Sequence, residues 1–295
     1  MLELASVDWD LILENISDRA TSLPAREKLA QLGPLPTAED AQLSFDEISY
    51  ASAVVLSGVR PFMQSLDLFS TWISRLKKHA LLKTLEIKDI RHFCMEALAL
   101  KETLANVPNP WTSKVSQQLM DAERPLSAID QIMTANGDIR SDASEKLYRL
   151  TTEKDKVARD VQNTLDRLVK DHDVENFLQE KFVTTREGRW VIPVKSGSQH
   201  FVPGVIHGSS ATKQTVFMEP EKVVPLNNRL RQIEVEIEDE IERLLTELSG
   251  YLAEQTADFE NTRNLLETCD IRLAQAQWTI QVKGEPCEFA EKIIS

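Results

Sequence analysis

Apolar residues recur at steps of three and four in the second half of the chain, through a stretch without proline. The stripe starts at Leu226 and averages about 3.7 residues per turn, which predicts a helix with nearly straight or slightly right-handed packing. From about Leu226 to Ile280 such a helix would extend on the order of 80 Å. Its members are Leu226, Leu230, Ile233, Ile237, Ile241, Leu244, Leu248 and Leu252.

A second helical pattern precedes this one. Apolar residues follow one another at the same steps from Leu147 to Leu168, and Ser141 is placed to cap the helix start. We expect a helix from Ser141 to about Glu180, roughly 60 Å long. Because neither apolar stripe is stable when exposed, the two helices are expected to pack antiparallel.

The segment between these helices, residues 182–225, is rich in turn formers. It holds four of the nine glycines and four of the twelve prolines of the chain. Period-two alternation predicts short strands, and three of them are enough for a minimal antiparallel sheet. The predicted strands cover residues 189–195, 203–207 and 215–218, and the turns cover 186–189, 197–199 and 212–214.

Residues 1–136 show several shorter helical patterns separated by breaks. The sequence from Gly33 to Thr37 ends one helix, and Thr37 can cap the next. The patterns predict helices over about 38–56, 65–82 and 87–105, with Trp9, Trp72 and Trp111 as core anchors. The fold class expected for the whole chain is therefore mainly α, with a minor β component.

Few chemical motifs are present. Cys94, Cys269 and Cys287 lie far apart without metal-ligand spacing, which fits a reducing cytoplasm, and the acidic N-terminus resembles neither a signal peptide nor a membrane span. His200 and His207 lie near serines, but no catalytic arrangement surrounds them. No phosphate-binding loop occurs. We expect no enzyme activity, cofactor, metal or membrane contact for this chain.

Charge is distributed unevenly along the sequence. The net charge is −13, which argues against a broad polyanion-binding surface. Residues 182–225 carry five basic and three acidic residues, whereas residues 226–280 carry five basic and twelve acidic ones. The turn-rich segment is thus the part of the chain most compatible with a phosphate backbone.

Three runs of residues carry a family resemblance. VTTREGRWVIPVK, VPGVIHGSSATKQTVFMEP and VVPLNNRLRQIEVEIEDEIERLL resemble the clamp and returning lever helix of the MutS paralogues of the second type, bacterial relatives of the mismatch-repair MutS ATPase. LELASVDWDLILENI and GVRPF…SLDL resemble the N-terminal core of that family. The turn Ala211–Gln214 departs from the usual small residues. The sequence stops at Ser295, where the family continues into its ATPase domain, and often into KOW and Smr nuclease domains.

The resemblance implies a domain order and a function. It implies a helical core (1–140), an ascending lever helix (141–181), a β-rich clamp tip (182–225), a returning lever helix (226–280) and the start of a connection to the ATPase domain (281–295). Family members act on branched DNA in mismatch repair or recombination suppression, or on the ribosome and its RNA. ATP and Mg²⁺ are expected only in the ATPase domain, and a homodimer only in the full-length protein.

Two interpretations of the tip remain open. Either it contacts phosphates, or its cations keep an exposed sheet edge soluble while the helices form a structural or dimerisation module without nucleic-acid binding. Alternation places Arg189 and Lys195 on one strand face, with Arg186 and Lys213 in turns. The candidate nucleic-acid-binding residues are Arg186, Arg189, Lys195, Ser198, Gln199, His200 and Lys213.

Overall fold

The computed structural model describes residues 8–285. The chain divides into two compact units, one formed by residues 8–138 together with 245–285, the other by Ile139–Leu244. The expectations for the first seven residues, for Cys287 and for the connection after Glu285 lie outside the described residues. Within residues 8–285 no helix combines the length and apolar character needed to cross a membrane.

The first unit is helical, and its helix ends follow local sequence signals. Thr37 caps the third helix through its side chain, which accepts a hydrogen bond from the Asp40 amide, and that helix ends before Ser57 as predicted. The helices of this unit up to residue 138 are α1 (Trp9–Ser17), α2 (Leu23–Ala30), α3 (Ala38–Leu56), α4 (Phe69–Leu76), α5 (Thr84–Ala105), α6 (Pro110–Gln118) and α7 (Glu123–Ile132).

The helix predicted over 65–82 is wrong in extent. A 3-10 helix, Gln64–Leu68, precedes α4, and α4 ends at Leu76. His79 adopts a left-handed conformation with φ of 49°, which an α-helix cannot continue. The apolar pattern continues to Leu82 because that side chain is buried in the core from a non-helical segment.

Aromatic side chains form the centre of this unit. Trp72 lies edge-on to Phe69, Phe93 and Phe259, with ring centroids 4.6, 5.6 and 5.3 Å away. Trp72 is fully buried and Trp111 nearly so, which confirms both as core anchors. Trp9 is only half-buried, and its indole N–H donates to the carbonyl of Leu32.

A buried carboxylate joins the last helix of the chain, α11 (Thr256–Val282), to the segment between α1 and α2. Asp270 is fully buried and accepts hydrogen bonds from the backbone and hydroxyl groups of Thr21 and Ser22. Arg60, which belongs to the GVRPF run, donates to the same carboxylate over 2.7 Å. The motif therefore contributes a charge partner to the core of this unit.

The second unit contains the two long helices expected around the tip, but their extents differ from the prediction. The first, α8 (Glu145–Val169), starts at a Ser144 cap rather than at Ser141 and ends eleven residues before Glu180. At 25 residues it is about 38 Å long. A short helix, α9 (His172–Glu175), and an irregular segment follow it, because the apolar stripe stops at Leu168.

The returning helix is also interrupted. Helix α10 covers Val224–Ala253 and α11 begins at Thr256, so Glu254 and Gln255 break the predicted single helix. Neither glycine nor proline causes this break. The Thr256 hydroxyl donates to the carbonyl of Ala253 over 2.6 Å and thereby satisfies a backbone group at the end of α10.

Helices α8 and α10 are antiparallel within the second unit, as predicted. Lys146 pairs with Glu240, and Lys154, two turns later on α8, pairs with Glu234, which lies earlier on α10. The apolar stripes of the two helices form one core with the inner side of the sheet. Its fully buried members include Val161, Leu165, Ile192, Val194, Val223 and Ile233.

The sheet has four strands, in agreement with the three or more that the pattern predicted. Its order is β1-β2-β4-β3, and every neighbouring pair is antiparallel. The additional strand is β1, which the sequence assigned in part to a turn. The strands are β1 (Thr184–Arg186), β2 (Arg189–Lys195), β3 (Gly204–Ser209) and β4 (Thr215–Pro220). The expected fold class, mainly α with a minor β component, is confirmed.

Candidate nucleic-acid interface on the four-stranded sheet

The register of the sheet brings three of the predicted cations to one face. Residues that lie directly opposite each other in an antiparallel pair point to the same side. Arg186 is opposite Arg189, and Lys195 lies on the same side of β2 as Arg189. The expectation that Arg186 lies in a turn was wrong, because it is the last residue of β1. We call the side that carries these three residues the outer face.

Arg186 is held over an aromatic ring of the outer face. Its guanidinium carbon lies 4.1 Å from the centroid of the Phe217 ring, a cation–π distance. Phe217 lies opposite Pro193 in the β2–β4 register and is mostly buried. The Arg186 side chain remains exposed, so its charge is positioned by the ring while it stays accessible to an anion.

Arg189 has a different environment, because it is paired with a buried carboxylate. Its Nη1 donates to Glu219 Oε1 over 2.8 Å, and Glu219 is only 1% exposed. The second oxygen of Glu219 lies 2.6 Å from Nε2 of His207. Asn227, from the first turns of α10, donates to Oε1 over 2.8 Å. The charge of Arg189 is therefore largely neutralised.

Asn227 also fixes the position of the sheet relative to α10. Its side-chain oxygen accepts the Trp190 amide, and its amide nitrogen donates to the Trp190 carbonyl. Its neighbour Asn228 accepts a hydrogen bond from Arg189 Nη2 over 2.9 Å. Glu219 and Asn227 thus form a polar connection between β2, β4 and α10, and sequence reasoning missed both.

A signal for this connection exists in the sequence. Glu219 is the charged residue of a strand that otherwise reads as apolar, and it occupies the outer-face position next to Phe217 in the period-two alternation of β4. A buried carboxylate requires several donors, and the pair Asn227-Asn228 at the start of a helix can supply them. Position along the chain alone does not reveal that these groups meet.

The candidate nucleic-acid-binding residues that follow β2 lie in a turn that continues into a 3-10 helix, Gln199–Phe201. Lys195 is exposed and donates to the carbonyl of Asn176 over 2.9 Å. The side-chain oxygen of Gln199 accepts the Gly197 amide, which leaves the NH₂ group of Gln199 as a donor. His200 is exposed beside Phe201, and Ser198 is half-buried.

Lys213 lies in the turn between β3 and β4. It has a left-handed backbone with φ of 57°, and its amide donates to the carbonyl of Ser210. Its side chain is exposed and forms no ion pair with any of the described residues 8–285. Lys213 therefore lies in a turn and not on the outer face of the sheet. Its charge is not neutralised by an ion pair with a described residue.

These observations define the class of protein: a mainly α chain in which an antiparallel helix pair carries a small sheet with a cationic outer face. Within residues 8–285 no group of three or more histidine, cysteine or acidic side chains is arranged to hold a metal ion. No family model matches the sequence.

Curated proteins, by contrast, match almost all of it. The chain is 29% identical to endonuclease MutS2 of Bacillus velezensis and 25% identical to that of Halothermothrix orenii, in each case over 95% of the chain, and 36% and 37% of the relative. It is 30% identical to endonuclease MutS2 of Thermotoga neapolitana over 76% of the chain and 29% of the relative. The chain is thus similar to MutS2 proteins over almost all of its own residues and spans about a third of the length of these relatives.

Proposed function

We propose that this chain forms the lever and clamp region of a MutS-like protein that acts in DNA repair or recombination, and that the sheet is its nucleic-acid contact. The observation that carries the proposal is the outer face, where Lys195 is exposed and Arg186 is exposed over the largely buried ring of Phe217. Exposed cations suit the phosphates of a nucleic-acid backbone. The names of the relatives support a nucleic-acid partner.

In this proposal the parts of the chain have separate roles. Helices α8 and α10 are the arm, and their internal ion pairs and shared core make them a stiff support for the sheet. Glu219 and Asn227 orient the sheet on α10, while Arg186, Lys195 and Lys213 contact phosphates. Ser198, Gln199 and His200 supply neutral hydrogen-bond donors from the turn after β2. ATP hydrolysis belongs to the part of the relatives that this chain does not cover.

The partner proposed is branched DNA, with the ribosome and its RNA as the second possibility that the resemblance raised. The experiment compares binding of a labelled four-way junction, of duplex DNA and of ribosomes to the wild-type chain and to Lys195→Glu/Lys213→Glu. We expect weak, salt-sensitive binding of the junction and a loss of at least about tenfold in the variant, because the charge of each cation becomes repulsive.

A matched control distinguishes the loss of cations on the sheet from the change in net charge of the whole chain. Lys78 and Lys114 are exposed lysines of the first unit without an ion pair among the described residues. Lys78→Glu/Lys114→Glu changes the net charge by the same amount and should leave most of the binding intact. Equal losses in the two double variants would remove the tip from the contact surface, and preferential binding of ribosomes would select the second partner.

The alternative, a helical module that binds another coiled coil, receives less support from the side chains. The apolar stripe of α8 is already buried against the sheet and α10, including Val157, Val161 and Leu165. The exposed side of α8 is charged. A second coiled coil would therefore have little apolar surface of α8 to bind.

A further inference from the structure

An apolar groove in the first unit is unrelated to the proposed clamp. It follows α3 and α11 and consists of two adjoining cavities of about 760 and 350 Å³, which share Phe45, Ile48 and Gln275. On α11 its lining extends from Thr268 to Thr279, a length of roughly 16 Å at the standard helical rise.

The lining is apolar and partly open to solvent. Trp9 lies in the larger cavity and Trp278 in the smaller one, and each is half-buried. Leu35, in the proline-bounded loop before α3, is 48% exposed. Aromatic and aliphatic side chains that line a concave surface are typical of a site that receives apolar side chains from a ligand.

Acidic residues adjoin the lining of the groove in the sequence. Asp8 and Asp10 flank Trp9, and Glu39 follows the lining residue Ala38. None of the three forms an ion pair within residues 8–285. The cation in the lining, Arg272, is already neutralised, since its Nη2 lies 2.8 Å from Glu47.

We propose that this groove binds a basic amphipathic helix of a partner protein. Apolar side chains on one face of the helix would fill the two cavities, and lysines or arginines at its edges would face the acidic residues that adjoin the lining. The length of the lining on α11 corresponds to about three helical turns. The charge argument favours a basic partner over a second copy of this acidic chain.

The experiment measures fluorescence anisotropy of a labelled peptide of about 14 residues, with leucines at i, i+3, i+4 and i+7 and lysines elsewhere. Two control peptides replace the lysines by glutamates or the leucines by serines. The groove variant is Leu35→Ser/Glu39→Lys, and the matched variant is Leu43→Ser/Glu102→Lys. Leu43 and Glu102 are exposed residues outside the lining, so the two variants carry the same chemical changes.

We expect the lysine peptide to bind the wild-type chain and the matched variant, and to bind the groove variant at least about tenfold more weakly. Neither control peptide should bind. Equal weakening in both variants, or equal binding of the glutamate peptide, would overturn the proposal. If the lysine peptide does not bind and Leu35→Ser abolishes self-association in sedimentation, the groove is an interface between copies and the proposal is wrong.

Discussion

Glu240 on α10 is the buried acid whose contribution to stability can be tested most directly. Its carboxylate accepts hydrogen bonds from Arg243 Nη2 over 2.6 Å and from Ser144 Oγ over 2.8 Å, and it pairs with Lys146. The bond from Arg243, followed by those from Ser144 and Lys146, outweighs the effect of burial and lowers the pKa of Glu240 from 4.5 to about 2. Glu240→Gln removes the charge and keeps the size of the side chain.

The magnitude follows from the pKa. A shift of this size corresponds to roughly 3 kcal/mol. The carboxylate is 1% exposed, but the side chains of Lys146 and Arg243 are about half exposed, so water screens them. We therefore expect Glu240→Gln to lower the free energy of unfolding at pH 7 by about 1–2 kcal/mol.

The pH dependence gives the decisive readout. Because the pKa is lower in the folded state, the ionised carboxylate stabilises the fold fully above the unfolded pKa of 4.5. This stabilisation is lost as the pH falls towards about 2. The difference between wild type and Glu240→Gln in urea unfolding, followed by circular dichroism, should therefore be large at pH 7 and shrink between these values.

A neighbouring acid serves as the control. Glu238 is exposed on the same helix and forms no ion pair among the described residues, so Glu238→Gln should change the free energy of unfolding little at any pH. A difference for Glu240→Gln that is unchanged between pH 7 and pH 3, or that equals the effect of Glu238→Gln, would refute the reasoning.

Two further predictions concern the sheet. Glu219→Gln leaves Arg189 and His207 without their carboxylate and should lower the free energy of unfolding by roughly 2–4 kcal/mol in urea titrations; an effect below that of an exposed Glu→Gln change would contradict the network. Gly204→Ala would place a Cβ 2.2 Å from the carbonyl oxygen of Glu219, so it should separate β3 from β4 and cost about 1–3 kcal/mol. Gly33→Ala, where no atom lies within 4 Å, is its control, and equal effects would show that the close approach is irrelevant.

The elements that the sequence predicted well have strong local signals at both ends. Helix α3 matches residue by residue, because Thr37 caps its start and Ser57-Gly58 ends it. Strand β2 matches because Gly188 and Gly197 bound it. The helix predicted over 65–82 failed for the opposite reason. Its apolar pattern continues to Leu82, whose side chain is buried by tertiary contacts from a segment that is not helical.

The candidate site was only partly predictable, for a geometric reason. Alternation determines which residues of one strand share a face, so Arg189 and Lys195 were placed correctly together. It contains no information about the register between strands, and that register brings Arg186 to the same face. The partners of Glu219 lie thirty and twelve residues before it and eight after it, on other elements, and no local pattern joins them.

The pairing of Arg189 changes the expected strength of nucleic-acid binding. Four cations were candidates, but Glu219 neutralises Arg189, so three charges remain for phosphates: Arg186, Lys195 and Lys213. Each phosphate contact on duplex DNA contributes about 0.9 to the dependence of log K on log salt. A contact through these three residues therefore predicts a slope of about −3 at most, far from that of a dedicated DNA-binding domain. Weak binding with such a small salt dependence would suit an arm that acts together with a second contact. Two weak sites on one assembly bind more tightly together than either does alone, without any new contact at either site.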